Sequence, residues 1–352
     1  MVGFYILLFV VVLISLKVDV GSEEFFNPVD RYTTTSIKGF FIGVVFIRHI
    51  VGYMHSGDDP IGSYWAYWLF GVTDKCFGQL MVVMFLFYSG YGVMSAIYAK
   101  GRSYVSTMPT KRILNTLVNF DVAVCVFCLL ASVLGRGLSF GNTFLAFTGW
   151  TSVGNSNWYI FAILICYILT WIGGAFFGRH ILRFVVLSLC LAMLVLSFTR
   201  PSCWYNTIMS YAAGCMYAAY RDKVEYLIKQ YYWTALISVT LLFSVLFCIA
   251  WTGFDFYGIF YNVYSIIFAL LVVILSFKIK VGNPILHWMG NRLFPIYIYQ
   301  RVPMIFFSMV FGRQFAHDNW IVYVFLCSFV TVLIAWLYPY FEVDLMRLKR
   351  KV

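Results

Sequence analysis

The stretch IKGFFIGVVFIRHIVGY, residues 37–53, decides the fold. It is an apolar run long enough to enter a bilayer, yet it carries Lys38, Arg48 and His49. Ionisable groups in hydrocarbon are costly unless they have partners or a task, so the run reads as a membrane helix bearing a functional site. At about 100° and 1.5 Å per residue, the steps from Lys38 to His49 turn roughly 1100°, which leaves the two side chains about 20° apart on one face. The rise between them is about 16 Å, which puts a cation at one membrane surface and an imidazole near the middle of a core roughly 30 Å thick. Arg48 falls about 80° off that line and needs another partner. Gly39 and Gly43 form a small-xxx-small pair that lets a neighbouring helix approach closely. The plainer account is a snorkelling Lys38 and a His49 that donates to a backbone carbonyl.

The whole chain has the same character. Of 352 residues, 62% are apolar and only 11% charged, with a mean hydropathy of +0.85, a balance that excludes a soluble domain. The net charge of +11 would point a soluble chain to nucleic acid. Here it is explained by basic loops on one side of the bilayer. Nine cysteines lie mostly within apolar runs, without CxxC or paired Cys/His spacing, so neither a disulfide framework nor a metal site is expected.

Residues 1–16 read as an extra helix, uncleaved because no basic residue precedes it, with its N-terminus outside. A polar link follows over 18–36. Beyond the opening helix, spans are expected near 76–98, 114–134, 156–177, 181–198, 203–220, 232–251, 258–277, 292–311 and 319–340. The expected fold is therefore an all-α polytopic bundle of ten core helices plus the extra one, divided as 1–35 and a membrane domain over 36–352. Alternate connections hold 19 of the 25 Lys and Arg, among them Lys38, Lys111, Arg112 and the basic tail, whereas the opposite connections hold only Lys75, Arg136, Arg200 and Arg313. That asymmetry places Lys38 and the C-terminus in the cytoplasm.

A mid-membrane His above a cytoplasmic cation suits a reaction that draws on a phosphorylated cytoplasmic donor with a long thin arm, the shape of coenzyme A. His49 would remove the proton of an acceptor hydroxyl attacking the thioester. Ser89-Gly90-Tyr91-Gly92 in the next helix, with Lys111 and Arg112 after it, offers hydroxyls and a basic loop for the donor's phosphates. Asp121, inside a span, can pair with Arg48 or orient His49. Arg301 is either a buried counter-charge or part of a polar cavity. Trp158 and Tyr159 are either interfacial belt aromatics or a platform for a sugar. His55, Asp58 and Asp59 read as a solvated loop.

Several phrases in order, Lys38 to His49, FLFYSGYGVMSAI (85–97), KRILN (111–115), NWYIFAILICYIL (157–169) and GNRLFPIYIYQRVP (290–303), resemble the membrane acyltransferase 3 family. That resemblance, over about residues 36–340, implies ten helices and transfer of an acyl group, most often acetyl, from cytoplasmic acyl-CoA to a carbohydrate of the cell envelope. It implies His49 and Lys38 as the catalytic pair, and Lys38, Ser89, Tyr91, Lys111 and Arg112 on the acyl-CoA. The acceptor is assigned to Arg48, Trp158, Tyr159, Gln300 and Arg301. The family's basic partner is usually Arg, and Lys38 lacks the bidentate fork. Where many members have a further His near the C-terminus, this chain has Gln300 and Arg301. The resemblance places the chain in a cell membrane, with no tightly bound cofactor, metal or nucleic acid. The alternative reading is a transporter or flippase for a lipid-linked glycan, with the same charged residues along a polar path. It is disfavoured because no matching pair of broken helices appears in two halves.

Overall fold

The computed structural model describes residues 16–18, 24–54, 78–254, 256 and 258–346. Of the expected helix over residues 1–16, residues 1–15 lie outside the described residues, as do His55, Asp58, Asp59 and Lys75, and Leu16 belongs to a strand instead.

The decisive stretch is one uninterrupted helix, α1 (Arg31–Met54). It begins five residues before the expected end of the polar link, because Asp30 caps it. Its carboxylate accepts from the Thr33 N–H (3.0 Å) and the Thr33 hydroxyl (3.1 Å), satisfying an orphan donor of the first turn. Burial opposes ionisation of Asp30, but these bonds and the nearby Lys280 charge outweigh it and hold the carboxyl below its ordinary pKa. Ahead of α1, strand β1 (Leu16–Val18) pairs antiparallel with a later strand, which sets Lys17 opposite Lys280.

Helix α2 (Leu80–Lys100) ends at Gly101, whose φ of +56° lets its N–H return to the Ile97 carbonyl. Every residue from Leu80 to Tyr88 is buried, so α2 runs through the interior. A short helix α3 (Arg102–Met108) leads into a π-helical turn over Pro109–Leu114, and α4 (Asn115–Val133) continues from it. Pro109 lacks the N–H that the ordinary helical ladder needs, which accounts for the wider turn beginning there. A short helix α5 (Phe140–Ala146) precedes α6 (Trp158–Ile172), and a second π turn and Gly178 reverse the chain into α7 (Ile181–Thr199). The two pack side by side, so the 42-residue helical stretch doubles back on itself.

Next come α8 (Met209–Ala219), an amphipathic surface helix α9 (Arg221–Gln230), α10 (Tyr232–Trp251), α11 (Ile259–Leu275) and strand β2 (Ile279–Val281). The chain closes with α12 (Pro284–Asn291), α13 (Leu293–Tyr299), α14 (Arg301–Val310), α15 (Arg313–Asp318) and α16 (Trp320–Phe341). Pro303 cannot donate to the carbonyl one turn back, and α13 gives way to α14 at Gln300.

Two helix pairs are locked by reciprocal glycines. A Cβ on Gly39 would collide with the Leu286 carbonyl of α12, and one on Gly290 with the Thr35 carbonyl of α1. Gly90 of α2 and Gly214 of α8 repeat the arrangement against the carbonyls of Tyr211 and Phe87. Such backbone contact is how helices associate where lipid removes any hydrophobic drive between them. The outer helices expose large apolar side chains, such as Leu241 and Val245 on α10 and Phe325, Phe329 and Trp336 on α16. Apolar area of this kind is the lipid face of a membrane bundle.

Among the described residues seven helices are long and apolar enough to cross a membrane, against the ten expected. The difference has a physical origin. Two expected spans merge into Trp158–Thr199, Met209–Ala219 is only 11 residues, and Ile259–Leu275 is 17. An all-α, multi-pass membrane architecture holds; the count of ten does not follow from helix length.

Candidate active site

Lys38 and His49 lie toward opposite ends of α1, and different neighbours gather at each. At the Lys38 end, Arg112 and Arg31 stand near enough to act on the lysine's charge. Arg112 issues from the π turn and donates through Nε to the Tyr104 hydroxyl at 3.3 Å. Tyr167 and Tyr211 lie beside the same guanidinium, and Tyr211 shares a hydrogen bond of 3.0 Å with Thr170. Lys111, the preceding residue, is exposed because adjacent helical positions point apart. Asn115, last of the KRILN phrase, accepts from the Leu345 N–H. Asn119 both accepts from the Val343 N–H and donates to its carbonyl, which ties the chain's tail to α4.

The Ser89–Gly92 phrase divides between roles. Gly90 serves the contact with α8, and Gly92 has open space around it. Ser89 is half-buried. Tyr91 turns to a separate cluster, where its hydroxyl accepts from Arg221 at 3.1 Å. The same guanidinium bonds Glu225 (2.7 Å) and Asn27 (3.1 Å), and Tyr217 donates to Glu225. The Tyr91 ring also packs against that of Tyr217, 5.8 Å between centroids, within this same cluster.

At the other end of α1 a cavity of about 650 Å³ opens against His49. Arg48, His49, Gly52 and Tyr53 face it at the spacing of one helix side. Arg301, Ile305, Ser308 and Met309 of α14 form the facing wall, again one turn apart. Arg313 at the start of α15, Arg136 beyond α4, and Gly154 complete it. At Gly154 φ is +118°, and a Cβ there would press on Ile305 and Phe127. Arg301 is oriented by donating through Nε to the Tyr53 hydroxyl at 3.0 Å. The Nδ1 of His49 is shielded from solvent and has no hydrogen-bond partner. Asp121 makes neither of the contacts the sequence allowed, and its Oδ1 is likewise buried without a partner.

A smaller cavity of about 280 Å³ adjoins, sharing Arg136 and Gly154 and lined by Ser139, Asn142, Thr143 and Ser152. Of the expected acceptor residues, Arg48 and Arg301 line the main cavity. Gln300 is fully buried and donates to the Tyr297 carbonyl. Tyr159 is buried with its ring 5.2 Å from that of Tyr297, whose hydroxyl end lies near Arg301 and Ser156. Trp158 is half-buried against Tyr159. None of these three lines the main cavity. Arg136, Arg313, Tyr53 and Ser308 were not singled out from the sequence. Arg136 and Arg313 did carry a signal, as two of the few basic residues in connections where topology disfavours them. Arg200, another of those few, is accounted for by stacking, its guanidinium 3.3 Å from the Trp150 ring centroid and 4.7 Å from that of Trp204.

The bundle is therefore a multi-pass membrane protein with a histidine facing a basic cavity at one end of a helix and a cluster of cations at the other. The chain belongs to the membrane acyltransferase 3 family: the family model described as an acyltransferase domain matches residues 36–338, nearly its whole length, which makes it an acyltransferase. No curated protein and no solved structure matched it.

Proposed function

We propose that the protein is an O-acyltransferase of a cell membrane that moves an acyl group, most simply acetyl, from cytoplasmic acyl-CoA to a carbohydrate hydroxyl in the cavity at His49. The observation that carries this reading is the placement of His49, on the wall of a cavity and on one helix line with Lys38, in a chain of this family. In the reaction, a His49 nitrogen takes the proton from the acceptor hydroxyl as its oxygen attacks the thioester carbonyl. The new C–O bond forms, the C–S bond breaks, and the CoA sulfur leaves with a proton. Lys38 and Arg112, with Arg31 near by, supply the positive charge for the donor's phosphates. Lys111 and Ser89 are peripheral members of that end, and Tyr91 acts through the Arg221 cluster rather than on the donor.

Orientation follows from the basic loops. The Lys38 end and the C-terminus face the cytoplasm, the cavity faces outward, and ten core crossings result if α8 and α11 are counted as short spans. The test is acyl transfer by purified full-length protein with acetyl-CoA. His49→Ala is expected to lose transfer by at least about 10²-fold while keeping the wild-type melting temperature. Wild-type transfer in that variant refutes the role. Lys38→Met is expected to raise the KM for acetyl-CoA.

A further inference from the structure

The cavity beside His49 carries a positive charge that a hydroxyl substrate does not require. Arg136, Arg301 and Arg313 converge on it from three separate segments, and among the described residues no carboxylate lines it. Two of the three, Arg136 and Arg313, sit in connections that otherwise avoid basic residues, so topology does not explain them. Arg301 is aimed by its bond to Tyr53. Guanidinium groups converging on one cavity match an oxyanion, which they bind by paired charge-assisted hydrogen bonds.

From this we infer that the acceptor is an acidic carbohydrate, whose carboxylate or phosphate group is held by Arg136, Arg301 and Arg313 and thereby presents a neighbouring hydroxyl to His49. This deepens the function proposed above and rests on it for the reaction, though not for the charge of the ligand. The adjoining cavity shares Arg136 and Gly154 with the first and is lined by hydroxyl and amide side chains. It suits a second, neutral sugar unit, as an oligosaccharide acceptor would supply. The anion fixes register, because a planar guanidinium fork constrains where the bound group lies and so which hydroxyl reaches the imidazole.

The test is direct binding to the detergent-purified full chain, using glucose, glucuronate, glucose 6-phosphate and inorganic phosphate as probes, with acetyl-CoA titrated separately. Glucuronate or glucose 6-phosphate is expected to bind about tenfold or more tightly than glucose, since bonds to charged groups are among the stronger ones. Which of the two binds better identifies the anion. The double variant R136A/R313A should erase that preference while acetyl-CoA binding stays at the wild-type level. R136K/R313K should retain part of it, which separates lost charge from a misfolded cavity. Equal affinity for glucose and glucuronate and glucose 6-phosphate overturns the inference. So does inorganic phosphate competing as well as the sugar phosphate, because the site would then read the anion and not the sugar. Loss of acetyl-CoA binding in R136A/R313A also overturns it, by assigning the cavity to the donor. If acidic sugar binds wild-type protein but acetyl-CoA does not, the transferase reading falls and the acidic-sugar site stands.

Discussion

Gly39→Ala tests how helix packing holds the proposed catalytic line. The new Cβ would lie 2.6 Å from the Leu286 carbonyl carbon and 3.0 Å from the Gly290 nitrogen, and still closer to the Leu286 oxygen. Ordinary contact distances are about 3.5–4.0 Å, and the closest approach, to the Leu286 oxygen, sets the requirement, so α1 and α12 must part by more than about 1 Å. These are backbone atoms of a second helix and have no rotamer to change. Overpacking of this kind costs about 1–3 kcal/mol. The larger effect should be on rate, because Lys38 is the adjacent residue and His49 is ten residues further along the same helix. A misplacement of about 1 Å can cost about 10²-fold. The assay is acetyl transfer by purified protein, run beside a thermal melt. Gly92→Ala is the control, since nothing lies within 4 Å of its Cβ position. It should be neutral or stabilising by up to about 1 kcal/mol through helix propensity. Wild-type rate and melting temperature in Gly39→Ala would refute the claim that this contact positions α1.

Asp30→Ala should destabilise the start of α1 by about 1 kcal/mol, read from a thermal melt. The Asp30 carboxyl is depressed in the folded state, so its stabilisation is complete above the ordinary value of 3.8 and is lost as pH falls through the lower folded value. In Asp30→Asn that acid-side loss should be reduced. Arg221→Ala removes donors to Tyr91, Asn27 and Glu225, and should destabilise the protein by about 1.5–3 kcal/mol without changing the KM for acetyl-CoA. A selective rise in that KM would return Tyr91 to the donor site. Arg301→Lys loses the guanidinium fork and its bond to Tyr53, and should weaken the acceptor's KM more than the donor's.

Much of this protein is legible along the chain. Hydropathy located a helix at every expected span within the described residues, because lipid forces backbone polar groups to pair within their own segment, and a helix does that without reference to its neighbours. The line from Lys38 to His49 was legible for the same reason: α1 is unbroken, and its geometry depends only on residue spacing. Gly39 announced a close contact by its size, but only the tertiary structure named Leu286 as what it meets. Membership of an acyltransferase family was readable from ordered phrases that each say little alone.

What sits beside what was decided by packing. Tyr91 and Lys38 share the same region of the sequence pattern, yet the rotation of α2 gives Tyr91 to Arg221. Asp121 looked like a partner for His49 and is not one. Arg136 and Arg313 are about 90 and 260 residues from His49 in sequence, and no periodicity links them to it, yet they line one cavity with it. Residue spacing determines positions within a helix, where each atom is placed by its own backbone. The charge facing His49 is set between helices, by which glycines let which backbones touch, and that is a property of the folded bundle alone.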